Sequence, residues 1–386
     1  KRLAYHHEKF VNRDQELERV LDLVQRWLRE EGAERRTIIF HGHRGTGKSW
    51  LLQEIIYRLA DMKTLCLLFE LDTYADQKPQ EAVKAIMQEI YQAVSPGHDA
   101  QPLLMVKTET DLSRLAEWLV NQVRQNGNAL ILLLDHVDES AQTLLKTLEN
   151  HVLGPLIGEP TVLLFLAGRG RQHTWDRPEL RLKSVEIDLS PFETPHTRAQ
   201  LSKQVPEAVT SVEQIQALSG GYPWSSYILG SRLSDPVSAL DECINLLLGE
   251  HPDLRPYFEA LCVLQAFDES RMAPLFKAYR ENWAKKEWRY ADCRDMRQAM
   301  LDTGMIKWEA AASGYIIDQA LRPMLENYLC YHDSERWQRL HQTAWRLFTN
   351  WANKYERARK RWQDEALYHK EHLEKFATST GKQEEE

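Results

Sequence analysis

Gly42-His43-Arg44-Gly45-Thr46-Gly47-Lys48-Ser49 fits the spacing G-x-x-x-x-G-K-[ST] at every defined position. Glycine tolerates backbone angles closed to other residues, so successive N–H groups can turn inward and surround phosphate oxygens. Lys48 would bring its ammonium to the outer phosphates, and Ser49 would offer a hydroxyl to Mg²⁺. The helix that follows presents its positive end to the same anion. The residues expected to meet a nucleotide are Gly42, Arg44, Gly45, Thr46, Gly47, Lys48, Ser49 and Trp50. A glycine turn that only joins a strand to a helix is the plain alternative. The apolar run Thr37-Ile38-Ile39-Phe40 before the loop and the amphipathic stretch after it favour the phosphate cradle.

A second constellation closes the run ALILLLDHVDE, where Asp135 ends an apolar stretch and Asp138 and Glu139 stand just beyond it. At the carboxyl end of a parallel strand, Asp135 would hold the water shell of the magnesium ion opposite Ser49. Glu139 or Asp138 would orient the attacking water. The residue types leave that choice open, because Asp138 could instead cap a following helix with Glu139 in its first turn. TVLLFLAGRG delivers Arg169 to the same edge, where a guanidinium could sense the terminal phosphate or enter a surface ion pair.

Elements that position these groups are legible in the hydrophobic pattern. TIIFH, TLCLLFEL, ALILLLD, TVLLFLAG and SVEIDL read as strands buried on both faces of a parallel sheet. Helices are expected at Lys48 to Ala60, Pro79 to Val94, Asp111 to Gln125 and Glu139 to His151, as right-handed crossovers. Leu17, Val20, Leu21, Val24 and Leu28 recur at helical spacing, so a leading helix from Asp14 to Glu30 should pack on this sheet. After Pro191 the pattern becomes helical, interrupted by SGGYPW. An apolar helix YFEALCVLQAF opens a further segment, which ends in two extended pieces meeting at Ser313-Gly314, a combination that resembles a winged helix. The expected fold is α/β, with a P-loop parallel sheet flanked by helices, then an α-helical part, a winged-helix part and a C-terminal helical segment. The expected boundaries are 1–35 for the linker and leading helix, 36–190 for the nucleotide-binding domain, 191–250, 251–330 and 331–386.

With 386 residues the chain exceeds one ordinary core, and roughly two to four units are expected. Its 49 basic and 57 acidic residues disfavour a general polyanion binder. Five cysteines without a C-x-x-C pair indicate neither a zinc cage nor a disulfide framework, so a reducing, cytoplasmic setting is expected. No apolar run approaches the ~20 residues of a membrane span. The chain opens at Lys1 without methionine and closes in a polar tail, as a piece of a larger protein would. The histidines, including His369-x-x-His372, form no H-E-x-x-H constellation and read as solvated or satisfied side chains. KYERARKRW carries interleaved acids and reads as a charged helix face, not a nucleic-acid stripe. Trp337, Trp345, Trp351 and Trp362 crowd the final helices, where packing is the default role.

Taken together, the phosphate loop, LLLDHVDE, Arg169, GGYP at Gly220 to Pro223 and FVNRDQEL at Phe10 to Leu17 resemble the signal-transduction ATPases with numerous domains, the STAND class of AAA+-related P-loop ATPases. The resemblance covers roughly Phe10 to Leu329. It implies a nucleotide-binding domain, a helical lid with a Gly-x-Pro turn and a winged-helix domain, commonly followed by a sensor. It also implies that Gly221 and Pro223 lie against the adenine, with the Arg13 region on the other side. ATP or ADP with Mg²⁺ is the implied ligand. Asn12 stands where the family usually has glycine, and His136 follows Asp135 where a small residue is usual, which bears on hydrolysis rate. Ile317 and Asp318 occupy the stretch where relatives often carry a histidine that touches ADP, so no such lock is expected.

The resemblance thus implies the ATP-binding, slowly hydrolysing switch core of a multidomain signalling ATPase, in prokaryotic defence or regulation. Its implied partners are further copies of itself and effector and sensor domains outside this piece. Two rivals stand beside it: a DNA-associated ATPase, an initiator-like loader or transcription regulator that uses the winged helix, and a nucleotide-dependent scaffold that does not turn over.

Overall fold

A computed structural model describes residues 4–29, 35–96, 109–169, 175–182, 184–249 and 251–383. The chain divides into two compact units, Lys1–Ser190 and Pro191–Glu386. The first is built on five strands: β1 (Thr37–His41), β2 (Thr64–Glu70), β3 (Ala129–Asp135), β4 (Val162–Gly168) and β5 (Ser184–Asp188). They pair in the order β2-β3-β4-β1-β5, and every pairing is parallel. Helices α1 (Asp14–Leu28), α2 (Lys48–Leu59), α3 (Pro79–Val94), α4 (Glu109–Asn126) and α5 (Gln142–Leu148) flank the sheet, with short helices α6 (Gly154–Ile157) and α7 (Pro178–Arg181) near its edge.

Strand side chains alternate between faces, and the alternation separates two cores. Ile38, Phe40, Ile131, Leu133, Leu163 and Phe165 pack with α1 and α2 through Val20, Val24, Leu51 and Ile55. Ile39, Leu132, Leu134, Leu164 and Leu166 pack on the opposite face with α3, α4 and α5. This double burial explains the unbroken apolar runs of β1, β3 and β4. The edge strand β5 alternates between buried and exposed residues instead.

The helix expected from Glu139 to His151 begins later. Val137–Glu139 form a single 3-10 turn, α5 starts at Gln142, and a π-helical turn, Glu149–Leu153, joins it to α6. The cause lies in tertiary partners. Asp138 is drawn away from any capping role, as described below, and the buried Glu149 accepts a hydrogen bond from the Arg177 backbone N–H at 2.6 Å.

The second unit is helical. It contains α8 (Thr194–Gln204), α9 (Val212–Ser219), α10 (Pro223–Ser231), α11 (Pro236–Leu248), α12 (Arg255–Leu261), α13 (Glu269–Tyr279), α14 (Glu281–Ala284) and α15 (Tyr290–Asp302). A hairpin of β6 (Ile306–Glu309) and β7 (Gly314–Ile317) follows, then α16 (Leu321–His332), α17 (Ser334–Lys354) and α18 (Arg359–Gln383). The apolar run expected as one helix stops at Leu261. Its far end serves the hairpin: Phe267 and Tyr315 exchange backbone hydrogen bonds of 2.8 and 2.7 Å. Among the described residues no helix is long and apolar enough to cross a membrane.

Candidate functional site

At the carboxyl end of β1 the chain turns through Gly42 to Gly47 into α2. Gly45 and Gly47 adopt φ of +82° and +94°, the left-handed region that L side chains avoid. Gly47 has no side-chain neighbour within 4 Å of a notional Cβ, so its glycine is required by backbone conformation alone. Gly42 is required by proximity, because a Cβ there would lie 2.7 Å from the Thr46 hydroxyl. That hydroxyl turns inward and donates to the His43 carbonyl at 2.9 Å. It tightens the loop from within. The Lys48 ammonium arches back over the same loop, donating to the carbonyls of Gly42 at 2.6 Å and His43 at 2.9 Å. Arg44 and Ser49 are half-buried on the loop and its helix, and Trp50 packs edge-on against Tyr5.

Arg13 is buried and fastened to the loop. It is 4% exposed and donates to the Thr46 carbonyl at 2.9 Å, with Glu16 at 3.1 Å as its carboxylate partner. Burial pulls the Arg13 pKa down, and Glu16 acts against that pull. Asn12 and Arg13 both adopt left-handed angles, φ +62° and +73°. Asn12 is one of the few residue types that enter this region readily, which accounts for its standing where glycine is usual.

Strand order decides what faces the loop. Because β4 lies between β1 and β3, the end of β3 is two strand spacings from the end of β1, about 9.5 Å. Asp135 closes β3 and is 2% exposed. Its carboxylate accepts the His136 N–H at 2.9 Å, and the His136 ring nitrogen lies 3.5 Å from its other oxygen. His136 itself is left-handed at φ +61°. Arg169 follows the last residue of the central strand, at the edge between these two ends. Its backbone N–H is hydrogen-bonded by the Asp138 carboxylate, which also fills the space a side chain at Gly168 would need. Asp138 therefore ties the end of β3 to the end of β4 and caps no helix. The N-cap of α5 is Ala141, with no side-chain cap. Glu139 ends the 3-10 turn, and its side chain lies outside the described residues.

A small, partly open pocket beside these strand ends is lined by Ile39, His41, Val137, Asp138, Gly168 and Trp175. Ser49 and Asp135 supply the hard oxygen donors that Mg²⁺ takes, and the left-handed Gly45 and Gly47 give the loop the kind of backbone that anion-binding turns use. The residues present therefore suit a magnesium nucleotide.

Gly221 and Pro223 belong to the second unit. Gly221 is left-handed at φ +79°. A Cβ there would overlap the Phe192 carbonyl, whose own N–H donates to the Gly221 carbonyl at 2.7 Å. Pro223 opens α10, and its carbonyl accepts from Gln200 at 2.7 Å. Between them, the buried Tyr222 hydroxyl donates to Asp318 at 2.9 Å, and Asp318 also receives the N–H groups of Ala320 and Leu321 that start α16. Within this unit, then, the GGYP turn is wired to the segment after the hairpin.

Sequence reasoning missed Glu54, which is fully buried on α2 and bonded to Tyr5, His7 and Arg58. Its signal was a carboxylate four residues from Trp50 and from Arg58 in an otherwise apolar helix. Among the described residues no three His, Cys, Asp or Glu side chains gather as a metal cluster.

A five-stranded parallel sheet whose first strand runs through a lysine-bearing glycine loop into a helix, with a buried aspartate two strands away, defines a P-loop nucleotide-binding protein. Residues 9–157 match the AAA ATPase domain family. That part of the chain is similar to AAA+ P-loop ATPase domains. Members of this family bind ATP or ADP, typically with magnesium. No curated protein matches the chain. Solved structures similar to it include Cdc6p from Pyrobaculum aerophilum, at 14% identity and TM-score 0.45, covering 83% of this chain and 96% of that one. The Aeropyrum pernix Orc1 protein in complex with DNA is 16% identical at TM-score 0.41, covering 84% and 93%. A STAND protein with a tetratricopeptide repeat sensor from Pyrococcus horikoshii is 11% identical at TM-score 0.39, covering 99% of this chain and 57% of that one.

Proposed function

We propose that this chain is the nucleotide switch core of a multidomain signalling ATPase of the STAND kind. It binds ATP with Mg²⁺ and hydrolyses it slowly, and the nucleotide state sets the arrangement of its parts and its self-association. The observation that carries the reading is the phosphate loop set two strand spacings from the buried Asp135, with the end of β4 between them. Lys48 and the loop N–H groups would bind the phosphates. Ser49 and Asp135 would hold the magnesium ion, which when bound neutralises charge on the outer phosphates. Glu139 is the proposed residue for orienting water, because the Asp138 carboxylate is committed to the Arg169 backbone. Arg169 is the proposed phosphate sensor. Arg13 supports the loop, and Gly221 and Pro223 are the proposed contacts to the base.

The second unit is read as a lid at 191–250, a winged helix at 251–330 and a helical segment at 331–386, in a cytoplasmic protein with effector and sensor domains beyond this piece. A second reading rests on the β6-β7 hairpin with α13 and α15: a DNA-associated ATPase whose hairpin unit enters a groove. Identification of the nucleotide that co-purifies, phosphate release, and solution mass in ADP and in ATP test the first reading. Unchanged ATP affinity in Lys48→Ala would overturn it. DNA binding that weakens steeply with salt would favour the second.

A further inference from the structure

The helix that carries Lys48 and Ser49 has two working faces. Leu51, Leu52, Ile55 and Leu59 bury it against the sheet. Trp50, Glu54 and Tyr57, spaced i, i+4, i+7 with Arg58 beside them, form another face, and the segment before α1 lies on it. The Tyr5 ring meets Trp50 edge-on at 5.7 Å. The His7 ring stacks on Tyr57 at 3.8 Å. Glu54 between them is 0% exposed and accepts three hydrogen bonds: from the Tyr5 hydroxyl at 2.6 Å, from Arg58 Nε at 2.7 Å and at His7 Nδ1 at 2.9 Å.

A buried carboxylate is costly unless each oxygen is satisfied. Burial alone would raise the Glu54 pKa, and the bonds from Tyr5, Arg58 and His7 outweigh it and hold the carboxyl below its ordinary value. Two of those three donors come from the segment, so Glu54 is fully satisfied only while the segment is docked. At its other end the segment is fastened again, by Arg13 on the Thr46 carbonyl of the phosphate loop. The two fastenings lie on one continuous piece of chain, since Glu54 is six residues beyond Lys48, about 9 Å along the same helix.

We propose that Glu54 is a positioning residue for nucleotide binding: through Tyr5 and His7 it fastens residues 5–9 across the helix that carries Lys48 and Ser49, so that docking of this segment and grip on the phosphates form one coupled equilibrium. The proposal deepens the ATP-site reading and rests on it. Coupling of this kind is reciprocal. Release of the segment weakens the nucleotide, and bound nucleotide tightens the segment.

The test uses the full chain, with ADP and Mg²⁺ as the probe. ADP affinity is measured by calorimetry, and hydrogen exchange of residues 5–13 is followed with and without ADP. In the unaltered protein ADP slows that exchange. Glu54→Gln weakens ADP about tenfold, or about 1.4 kcal/mol, and abolishes the ADP-dependent protection. Tyr5→Phe removes one oxygen and gives the same pattern at smaller amplitude, and the double variant is less than additive. Ile90→Val, in the far core on α3, lowers thermal stability and leaves ADP affinity alone, which separates positioning from general destabilisation. A folded Glu54→Gln protein that binds ADP normally while residues 5–9 exchange fast would overturn the proposal and leave the ATP site standing. An unaltered protein that binds neither ADP nor ATP would overturn both.

Discussion

Lowering the pH from 7.5 to 5.5 should destabilise the second unit through two buried histidines. His341 on α17 and His369 on α18 are both 0% exposed, and their Nδ1 atoms face each other at 3.0 Å. Such a contact needs one Nδ1–H donor and one bare acceptor, so at least one of the two rings is neutral, and both cannot be charged without breaking it. Around it stand Glu326 and Arg322 from α16, His372 and Tyr368 from α18, and Trp337 from α17. Burial, joined by His341, His372 and Arg322, pushes the His369 pKa down to about 2. Burial also lowers that of His341, against the pull of Glu326 at 3.4 Å.

Both folded values lie below the ordinary 6.5, so the unfolded chain binds more protons between them and stability rises with pH. The contribution is complete above about pH 6.5 and is lost as pH falls towards the folded values. At pH 5.5, one unit below the unfolded pKa, His369 costs about 1 kcal/mol, and His341 acts in the same direction. Burial raises the Glu365 pKa, which acts with the opposite sign, so the comparison with a variant carries the test. Urea unfolding followed by the tryptophans of α17 and α18 should show a loss of at least about 1 kcal/mol in the unaltered protein, and a loss smaller by about 1 kcal/mol in His369→Leu. An equal pH dependence in the two proteins, or a folded imidazole at either position titrating near 6.5, would refute the reasoning.

Five further substitutions have expected outcomes. Arg13→Ala removes a buried, charge-assisted hydrogen bond to the Thr46 carbonyl and should cost about 1.5–3 kcal/mol of stability, together with ADP affinity, as read by chemical unfolding and calorimetry. Asp135→Asn should retain nucleotide while losing its magnesium dependence and phosphate release. Asp138→Ala, by contrast, should lower stability by about 1–3 kcal/mol because the Arg169 N–H loses its acceptor, whereas Glu139→Gln should leave stability alone and reduce phosphate release. Gly220 is left-handed at φ +59°, with Ala320 Cα 2.6 Å from a notional Cβ, so Gly220→Ala should destabilise the second unit by more than the about 1–2 kcal/mol of the backbone term alone, measurable as a lower unfolding midpoint.

Much of this molecule is contiguous in sequence and therefore legible there. The loop from Gly42 to Ser49 is one run of residues, and the left-handed angles of Gly45 and Gly47 follow from residue type and spacing. Strands β1, β3 and β4 are apolar runs because each is buried on both faces, and a pattern of that kind survives without knowledge of neighbours. The residues that hold the loop in place are another matter. Arg13 meets Thr46 across 33 positions, Asp138 meets Arg169 across 31, and Tyr5 meets Glu54 across 49. Neither periodicity nor propensity encodes such pairings, because each partner alone reads as an ordinary charged or polar residue on a helix or turn. The same holds for the strand order that sets β4 between the phosphate loop and Asp135, and for Phe267, which left an apparently continuous apolar helix to pair with Tyr315. Local chemistry was written in adjacent residues. Its orientation was decided by buried polar groups, which must find partners wherever the fold brings them.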